Sequence, residues 1–319
     1  GLGPMTMRHQ LTLHTMLERA RRYFPDKEIV SRTGSGIFRY TYADYYDRTR
    51  RLAAALAGLG IRRGDRVGSI AWNHHRHLEA YFAVPCMGAS LHTINLRLPP
   101  EHLTYVINHA RDRVLLVNAE LAPLVEAVRS ELRTVEHFVI MADGPLPETG
   151  LSPVHSYEDL LASAPDDYRF PEDIDEWAEA GMCFSSATTG MPKGVCYAHR
   201  AIYLHSMMVC MADTVGVGER DVVMPVVPMF HVNAWGLPFA AVWMGAKQVL
   251  PGPRPDPHTL CRLIQDEKVT LAAGVPTVWM GVLQAVEQER YDLSSITRIA
   301  CGGAAPPRAL IEAYELKLG

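Results

Sequence analysis

A run of hydroxyl, glycine and lysine residues at positions 184–195 is the part of the sequence best suited to chemistry. It reads FSSATTGMPKGV. Hydroxyl and backbone N–H groups donate hydrogen bonds to phosphate oxygens, and glycine lets the backbone approach them closely. The single lysine adds a cation that suits a polyphosphate. The run therefore predicts a nucleotide-phosphate loop, but it lacks the Gly-x4-Gly-Lys-Ser/Thr spacing of a Walker loop.

This run resembles the S/T-G-T-T-G-x-P-K-G signature of the adenylate-forming superfamily of acyl-CoA synthetases, luciferases and peptide-synthetase adenylation domains. The resemblance implies that the run holds the β- and γ-phosphates of ATP and that Ser185 contacts Mg²⁺. At Ala187 the family usually has glycine, and the extra methyl group disfavours a positive φ, so we expect slower loop closure or looser phosphate binding. The implied ATP-binding residues are Ser185, Ser186, Ala187, Thr188, Thr189, Gly190 and Lys193.

A second motif, PMFHVNAWG at 228–236, resembles the acyl-site motif of the long-chain fatty-acyl-CoA synthetases. The resemblance places His231 beside the reacting carboxylate, as the catalytic residue, and Trp235 at the mouth of an acyl tunnel. Taken singly, each side chain would also fit ordinary core packing. Residues 274–278 fit a strand-to-helix turn that lines the same site. The implied substrate-binding residues are His231, Val232, Asn233, Trp235, Gly274 and Val275.

A third motif, CGGAAP at 301–306, resembles the family's glycine turn against adenine, since adjacent glycines let the backbone lie flat beside a planar ring. The implied adenine-binding residues are Gly302, Gly303, Ala304, Ala305 and Pro306. The family continues with an aromatic-Gly-x-Thr-Glu motif, a ribose-binding Asp and a small C-terminal domain that carries a catalytic Lys. None of these follows before Gly319, so we expect this chain alone to be inactive.

Alternating apolar strands and amphipathic helices must position these motifs. Such alternation predicts an α/β fold of mostly parallel sheet flanked by helices, and the resemblance implies two stacked sheets without the C-terminal domain. We predict a tag remnant at 1–4, a first α/β subdomain at 5–172 and a second at 173–319. The predicted strands are 66–71, 91–94, 114–117, 137–141 and 182–184; the predicted helices are 42–59, capped by Thr41, 76–87, one from 99, 121–132, 157–161 and 197–211.

Composition excludes several classes of protein. A net charge of −4 and a hydrophobic share of 48% argue against nucleic acid or an anionic membrane as the main partner. The most apolar stretch, 222–246, contains three prolines and a histidine, so we expect no transmembrane segment. Six cysteines without a CxxC pair indicate reduced thiols and a cytoplasmic location. His74, His75 and His77 suggest a solvated helix start rather than a metal site.

The resemblance implies ATP-dependent activation of a carboxylic acid to acyl-AMP, followed by transfer to CoA as a thioester. We expect a medium- or long-chain fatty acid, or another bulky apolar acid, with ATP, Mg²⁺ and CoA as cofactor and co-substrates. Two alternatives stay open: an adenylating enzyme that passes the acyl group to a carrier or partner protein, and a catalytically silent acyl- or nucleotide-binding fragment. A homodimer is expected by analogy with the family.

Overall fold

The computed structural model describes residues 9–185 and 189–301, and only the backbone of 232–235. The strands in these ranges are β1 (Glu28–Thr33), β2 (Gly36–Thr41), β3 (Arg66–Ile70), β4 (Ser90–Thr93), β5 (Val114–Asn118), β6 (His137–Met141), β7 (Val154–Ser156), β8 (Glu179–Ser185), β9 (Lys193–Ala198), β10 (Val222–Pro225), β11 (Lys247–Leu250), β12 (Leu271–Gly274) and β13 (Arg298–Cys301). The α-helices are α1 (Leu13–Tyr23), α2 (Tyr42–Gly58), α3 (His75–Cys86), α4 (Pro100–Ala110), α5 (Ala122–Glu126), α6 (Tyr157–Ser163), α7 (His199–Cys210), α8 (Val232–Met244), α9 (Pro257–Glu267) and α10 (Pro276–Gln288).

The strands form two mostly parallel sheets, as predicted. One has the order β13-β12-β10-β11-β1-β2 and the other β7-β6-β5-β3-β4-β8-β9. Only the outermost pairs β1–β2 and β8–β9 are antiparallel. All five residues of β5 are buried, which is typical of a parallel strand covered on both faces.

One hydrophobic core joins the two sheets. It contains Ile29 and Leu250 from the six-stranded sheet and Leu91 and Leu116 from the seven-stranded sheet. Helix α3 lies in this core, and every one of its residues is buried. The two sheets therefore share one closely packed interior. Alpha/beta proteins generally bind ligands at the carboxyl ends of their parallel strands, and here those ends come from both sheets.

Each sheet draws strands from both sides of residue 172. Strands β1 and β2 join the sheet made otherwise of β10–β13, while β8 and β9 extend the sheet made otherwise of β3–β7. A boundary near residue 173 therefore does not separate one sheet from the other. It stays a prediction about the folding units of the chain.

Several helix boundaries can be compared with those predicted from the sequence. Thr41 caps α2 through a capping box with Asp44, as the sequence indicates. The predicted helix at 121–132 is instead broken into α5 and two 3₁₀ turns, Ala119–Leu121 and Arg129–Glu131. The helix predicted to begin at Tyr197 begins at His199, because β9 pairs with β8 as far as Ala198.

The prediction of a solvated helix start at His74, His75 and His77 is wrong. These side chains are 3%, 1% and 0% exposed. His74 accepts a hydrogen bond from His77 N and donates one to Asn118, and His77 lies 3.0 Å from Ser69 Oγ. Burial lowers the pKa of His74 to about 4 and of His77 to about 3, and it also lowers the pKa of His75. Protein partners from β1, β3 and β5 replace water here.

Candidate functional site

The predicted phosphate loop is the turn of an antiparallel hairpin. Ser185, the last residue of β8, is paired with Lys193, the first residue of β9, and Ser185 Oγ donates a 3.3 Å hydrogen bond to Lys193 O. Strand β8 runs parallel to β4, so the turn lies at the carboxyl edge of the seven-stranded sheet. This edge is where the parallel arrangement places a ligand.

Both described ends of the turn face solvent. Thr189 and Gly190 are exposed, and Gly190 has a φ of 77°, a conformation that favours glycine. Lys193 is also exposed, and its Nζ has no ion-pair partner among the described residues. A lysine held at the rim of the hairpin in this way can meet an anionic ligand. Ser186, Ala187 and Thr188 lie outside the described residues.

Gly194, which the sequence interpretation left without a role, leaves space for side chains that pack below the turn. A Cβ atom on Gly194 would lie 2.6 Å from Met182 Cε and 3.2 Å from the ring of Phe184. The Phe184 ring in turn lies 5.2 Å from the His92 ring and 6.4 Å from the Tyr105 ring, between centroids. Phe184 therefore anchors the hairpin to β4 and α4, and glycine at 194 makes room for it.

A small cavity is lined both by the β8–β9 hairpin and by residues of the predicted acyl-site motif. Its volume is about 220 Å³, and its walls include Ser185, Pro192, Asn95, Phe230 and His231. His231 is exposed, and its N–H donates a 2.9 Å bond to Pro228 O. The predicted catalytic residue and the first residue of the predicted phosphate loop therefore border one space.

The same cavity has a buried acid–histidine pair that the sequence interpretation missed. His92, a lining residue, donates from Nδ1 to Asp112 Oδ2 over 2.7 Å. The side chains are 1% and 0% exposed, and burial raises the pKa of Asp112. Gly68 accommodates the carboxylate, because a Cβ there would lie 2.8 Å from Asp112 Oδ2. His92 Nε2 has no hydrogen-bond partner among the described residues.

A larger and mostly apolar cavity of about 600 Å³ lies on the other side of Phe230. Val227, Val275 and Val278 line it, and Phe230 borders both cavities. Val275, a predicted substrate-binding residue, thus lines a cavity, and its role stays a prediction. Its neighbour Gly274 ends β12 and accepts a 3.2 Å hydrogen bond from Trp279 Nε1.

The remaining predicted site residues cannot be placed. The side chains of Val232, Asn233 and Trp235, and the adenine-turn residues Gly302, Gly303, Ala304, Ala305 and Pro306, lie outside the described residues. Their roles stay predictions. Among the described helices, none is long and apolar enough to cross a membrane.

Comparison with known proteins decides the family. Residues 17–319 match the family model described as AMP-binding enzyme. The chain belongs to this family. The β8–β9 hairpin and both cavities lie within the matched residues.

Relatives in the family are acid–CoA ligases. The chain is 51% identical over 314 residues to the long-chain-fatty-acid–CoA ligase of Thermus thermophilus, covering 98% of this chain and 56% of the relative. It is 44% identical over 315 residues to the medium-chain-fatty-acid–CoA ligase of Ectopseudomonas oleovorans, covering 98% and 57%. The chain thus spans little more than half the length of these relatives.

The solved structures give the same assignment. An anthranilate CoA ligase in complex with anthranoyl-AMP matches with a TM-score of 0.86 at 26% identity, over 97% of this chain and 58% of that one. A fatty acyl CoA synthetase of Mycobacterium tuberculosis matches with a TM-score of 0.83 at 26% identity, over 96% and 58%. The two-sheet α/β architecture is therefore that of adenylate-forming enzymes.

Proposed function

We propose that this chain supplies the phosphate and acyl sites of an ATP-dependent ligase, which activates an apolar carboxylic acid as acyl-AMP and transfers it to CoA. The observation that carries the proposal is the shared cavity of Ser185 and His231, which has Phe230 in common with a larger, mostly apolar cavity. This arrangement has room for three parts of an acyl adenylate reaction side by side: triphosphate, carboxylate and hydrocarbon.

The hairpin would bind the β- and γ-phosphates. In the first half-reaction a carboxylate oxygen attacks the α-phosphorus, and pyrophosphate leaves with the electrons of the broken P–O bond. Lys193 and the hydroxyl groups of the turn are donors that would stabilise this leaving charge from fixed positions. Lys193 is exposed at the rim and has no described ion-pair partner to compete with phosphate.

His231 would orient the carboxylate. It borders the cavity that contains Ser185, so an acid seated there would lie between the imidazole and the phosphate hairpin. Holding two reactants in this geometry contributes to the rate by removing the entropy cost of their encounter. In the second half-reaction the CoA thiol attacks the acyl carbonyl, loses its proton, and AMP leaves.

The larger cavity suits the hydrocarbon part of the acid. Val227, Val275 and Val278 offer apolar walls in a space of about 600 Å³. Each methylene group buried there contributes about 0.8 kcal/mol. Relatives named for long-chain and medium-chain fatty acids support a medium- or long-chain substrate, and a structural neighbour with bound anthranoyl-AMP supports an adenylate intermediate.

Magnesium fits the hydroxyl end of β8. The Ser185 hydroxyl uses its proton to bond Lys193 O, which leaves oxygen lone pairs for a cation. Among the described residues, no group of three or more His, Cys, Asp or Glu side chains is arranged to hold a metal ion. Mg²⁺ is usually held by substrate phosphates and water with few protein ligands, and it neutralises part of the phosphate charge. Ser185 is thus the proposed protein ligand.

The test measures both half-reactions separately in the full-length protein. Acid-dependent exchange of labelled pyrophosphate into ATP reports adenylation, and mass spectrometry of CoA thioesters reports transfer, across acids of increasing chain length. We expect both signals with apolar acids. Exchange without a thioester would favour transfer to a carrier or partner protein, and ligand binding without exchange would favour a silent binding module. A cytoplasmic location and a homodimer stay predictions.

A further inference from the structure

The segment between β10 and α8 carries both Phe230 and His231, yet it belongs to neither element. Within it His231 N bonds to Pro228 O, and Val226 N and Val227 N both bond to Ala273 O. Pro228 has no N–H to offer. The segment therefore depends on other groups to hold the rest of its backbone.

Side chains from the opposite sheet and its helices supply those groups. Thr93 Oγ1 of β4 donates a 3.0 Å hydrogen bond to Phe230 O, and the Tyr81 hydroxyl of α3 donates to Met229 O. Both donors come from the seven-stranded half of the molecule. The position of residues 226–231 is thus set across the interface between the sheets.

Asn73 makes the largest number of these bonds. Its Nδ2 donates to Pro225 O and to Val227 O, each over 2.9 Å, and its Oδ1 accepts from Met229 N over 2.7 Å. Its backbone carbonyl accepts from Gly252 N over 2.8 Å, next to the end of β11. Asn73, three residues after β3, therefore holds the backbone that follows two strands of the other sheet, β10 and β11.

Only an amide can make this set of bonds. The two neighbours of Nδ2 are carbonyl acceptors and the neighbour of Oδ1 is an N–H donor, so the amide orientation is fixed. Asn73 is 6% exposed, so water does not readily substitute for a lost partner. An aspartate would keep the shape and the acceptor, but it would place a carboxylate against two carbonyl oxygens.

We propose that Asn73 is the positioning residue of the acid site. It holds residues 225–229 by its amide, and so fixes Phe230 and His231 relative to the phosphate hairpin, and it also lines the larger cavity itself. The inference rests on the proposed function for its catalytic consequence. The holding of residues 225–229 by the Asn73 amide does not depend on that function and is tested separately.

The first experiment measures amide hydrogen–deuterium exchange in the chain. In the wild type, peptides covering 226–231 are expected to exchange more slowly than the exposed connection at 143–150. Asn73→Asp and Asn73→Ala should speed exchange at 226–231 about tenfold or more, the scale for losing buried hydrogen bonds. Asn108→Ala is the matched control, because its amide also makes two 2.9 Å bonds, to Glu131 O and from Arg133 N, and Asn108 lines neither cavity. Fast exchange at 226–231 in the wild type would overturn the proposal without any variant.

The second experiment measures pyrophosphate exchange in the full-length protein. Asn73→Asp should lower kcat/KM for the acid about ten- to a hundred-fold, the scale for a misplaced reacting group, while KM for ATP stays as in the wild type. Asn108→Ala should change neither constant. If Asn73→Asp impaired the use of ATP as much as the use of the acid, the positioning role would be overturned. If pyrophosphate exchange in the wild type did not depend on added acid, while the hydrogen–deuterium exchange pattern was as predicted, the proposed function would be rejected. The structural role of Asn73 in holding residues 225–229 would still stand.

Discussion

The buried histidine His77 should make the protein lose stability on mild acidification. It is 0% exposed, its Nδ1 donates to Trp72 O over 3.1 Å, and its Nε2 accepts from Ser69 Oγ over 3.0 Å. Both ring nitrogens are thus satisfied in the neutral form. Burial is the main reason why its pKa falls from the ordinary 6.5 to about 3.

The sign follows from comparing the folded and unfolded chains. Below pH 6.5 His77 is protonated in the unfolded chain but stays neutral in the folded chain, so acid favours unfolding. The stability contributed by neutral His77 is complete above pH 6.5 and is lost progressively as the pH falls towards 3. Each pH unit in this window costs about 1.4 kcal/mol, so acidification to about pH 5 costs about 2 kcal/mol. His74 and His199, each with a pKa lowered to about 4 chiefly by burial, act in the same direction.

Urea unfolding of the wild type and His77→Gln at about pH 7.5 and about pH 5 tests this magnitude. The variant should be less stable at the higher pH, because Ser69 and Trp72 lose their partner. Its loss of stability between the two pH values should be smaller than that of the wild type by about 2 kcal/mol. His109→Gln is the control, since His109 is exposed at the end of α4. Identical pH dependence in His77→Gln and the wild type would refute the reasoning.

Three further predictions concern the hairpin and the apolar cavity. Gly194→Ala should lower the free energy of unfolding by about 1–3 kcal/mol, measured by urea unfolding, because its Cβ would overlap the space of Met182 and Phe184; unchanged stability would contradict the packing argument. Ala187→Gly should leave the fold intact and should raise, or not lower, the rate of pyrophosphate exchange, and a large loss would show that alanine is adapted to this turn. Val278→Phe should shift acid preference towards shorter chains, by about fourfold in kcat/KM per excluded methylene, whereas Met280→Phe on the exposed side of α10 should not.

Local patterns were sufficient for much of the fold. Buried strands such as 114–117 and the Thr41 cap can be predicted because their signals lie within a few residues. The position of β1 in the sheet could not be predicted, because β1 pairs with β11, which is far away in the sequence, and Ile29 lies opposite Gln248. A hydrophobic pattern indicates that a strand exists but does not name its partner.

The candidate site shows the same division. The order of residues at 184–195 predicts phosphate chemistry, and the structure puts Ser185 and His231 at one cavity. Asn73 and Asp112 carry no local signal, because their importance comes from partners far away in the sequence. The solvated interpretation of His77 was wrong for the same reason, since Ser69 and the surrounding core supply what water would otherwise provide.

The central claim is that the β8–β9 hairpin binds the phosphates of ATP during activation of an acid. The most direct measurement is acid-dependent pyrophosphate exchange in the full-length protein, comparing Lys193→Ala with Lys27→Ala, a surface lysine that contacts Glu219 instead. The account predicts that Lys193→Ala slows exchange roughly ten- to a thousand-fold, while Lys27→Ala leaves it unchanged. Equal exchange rates in the wild type and Lys193→Ala would contradict the phosphate role of the hairpin.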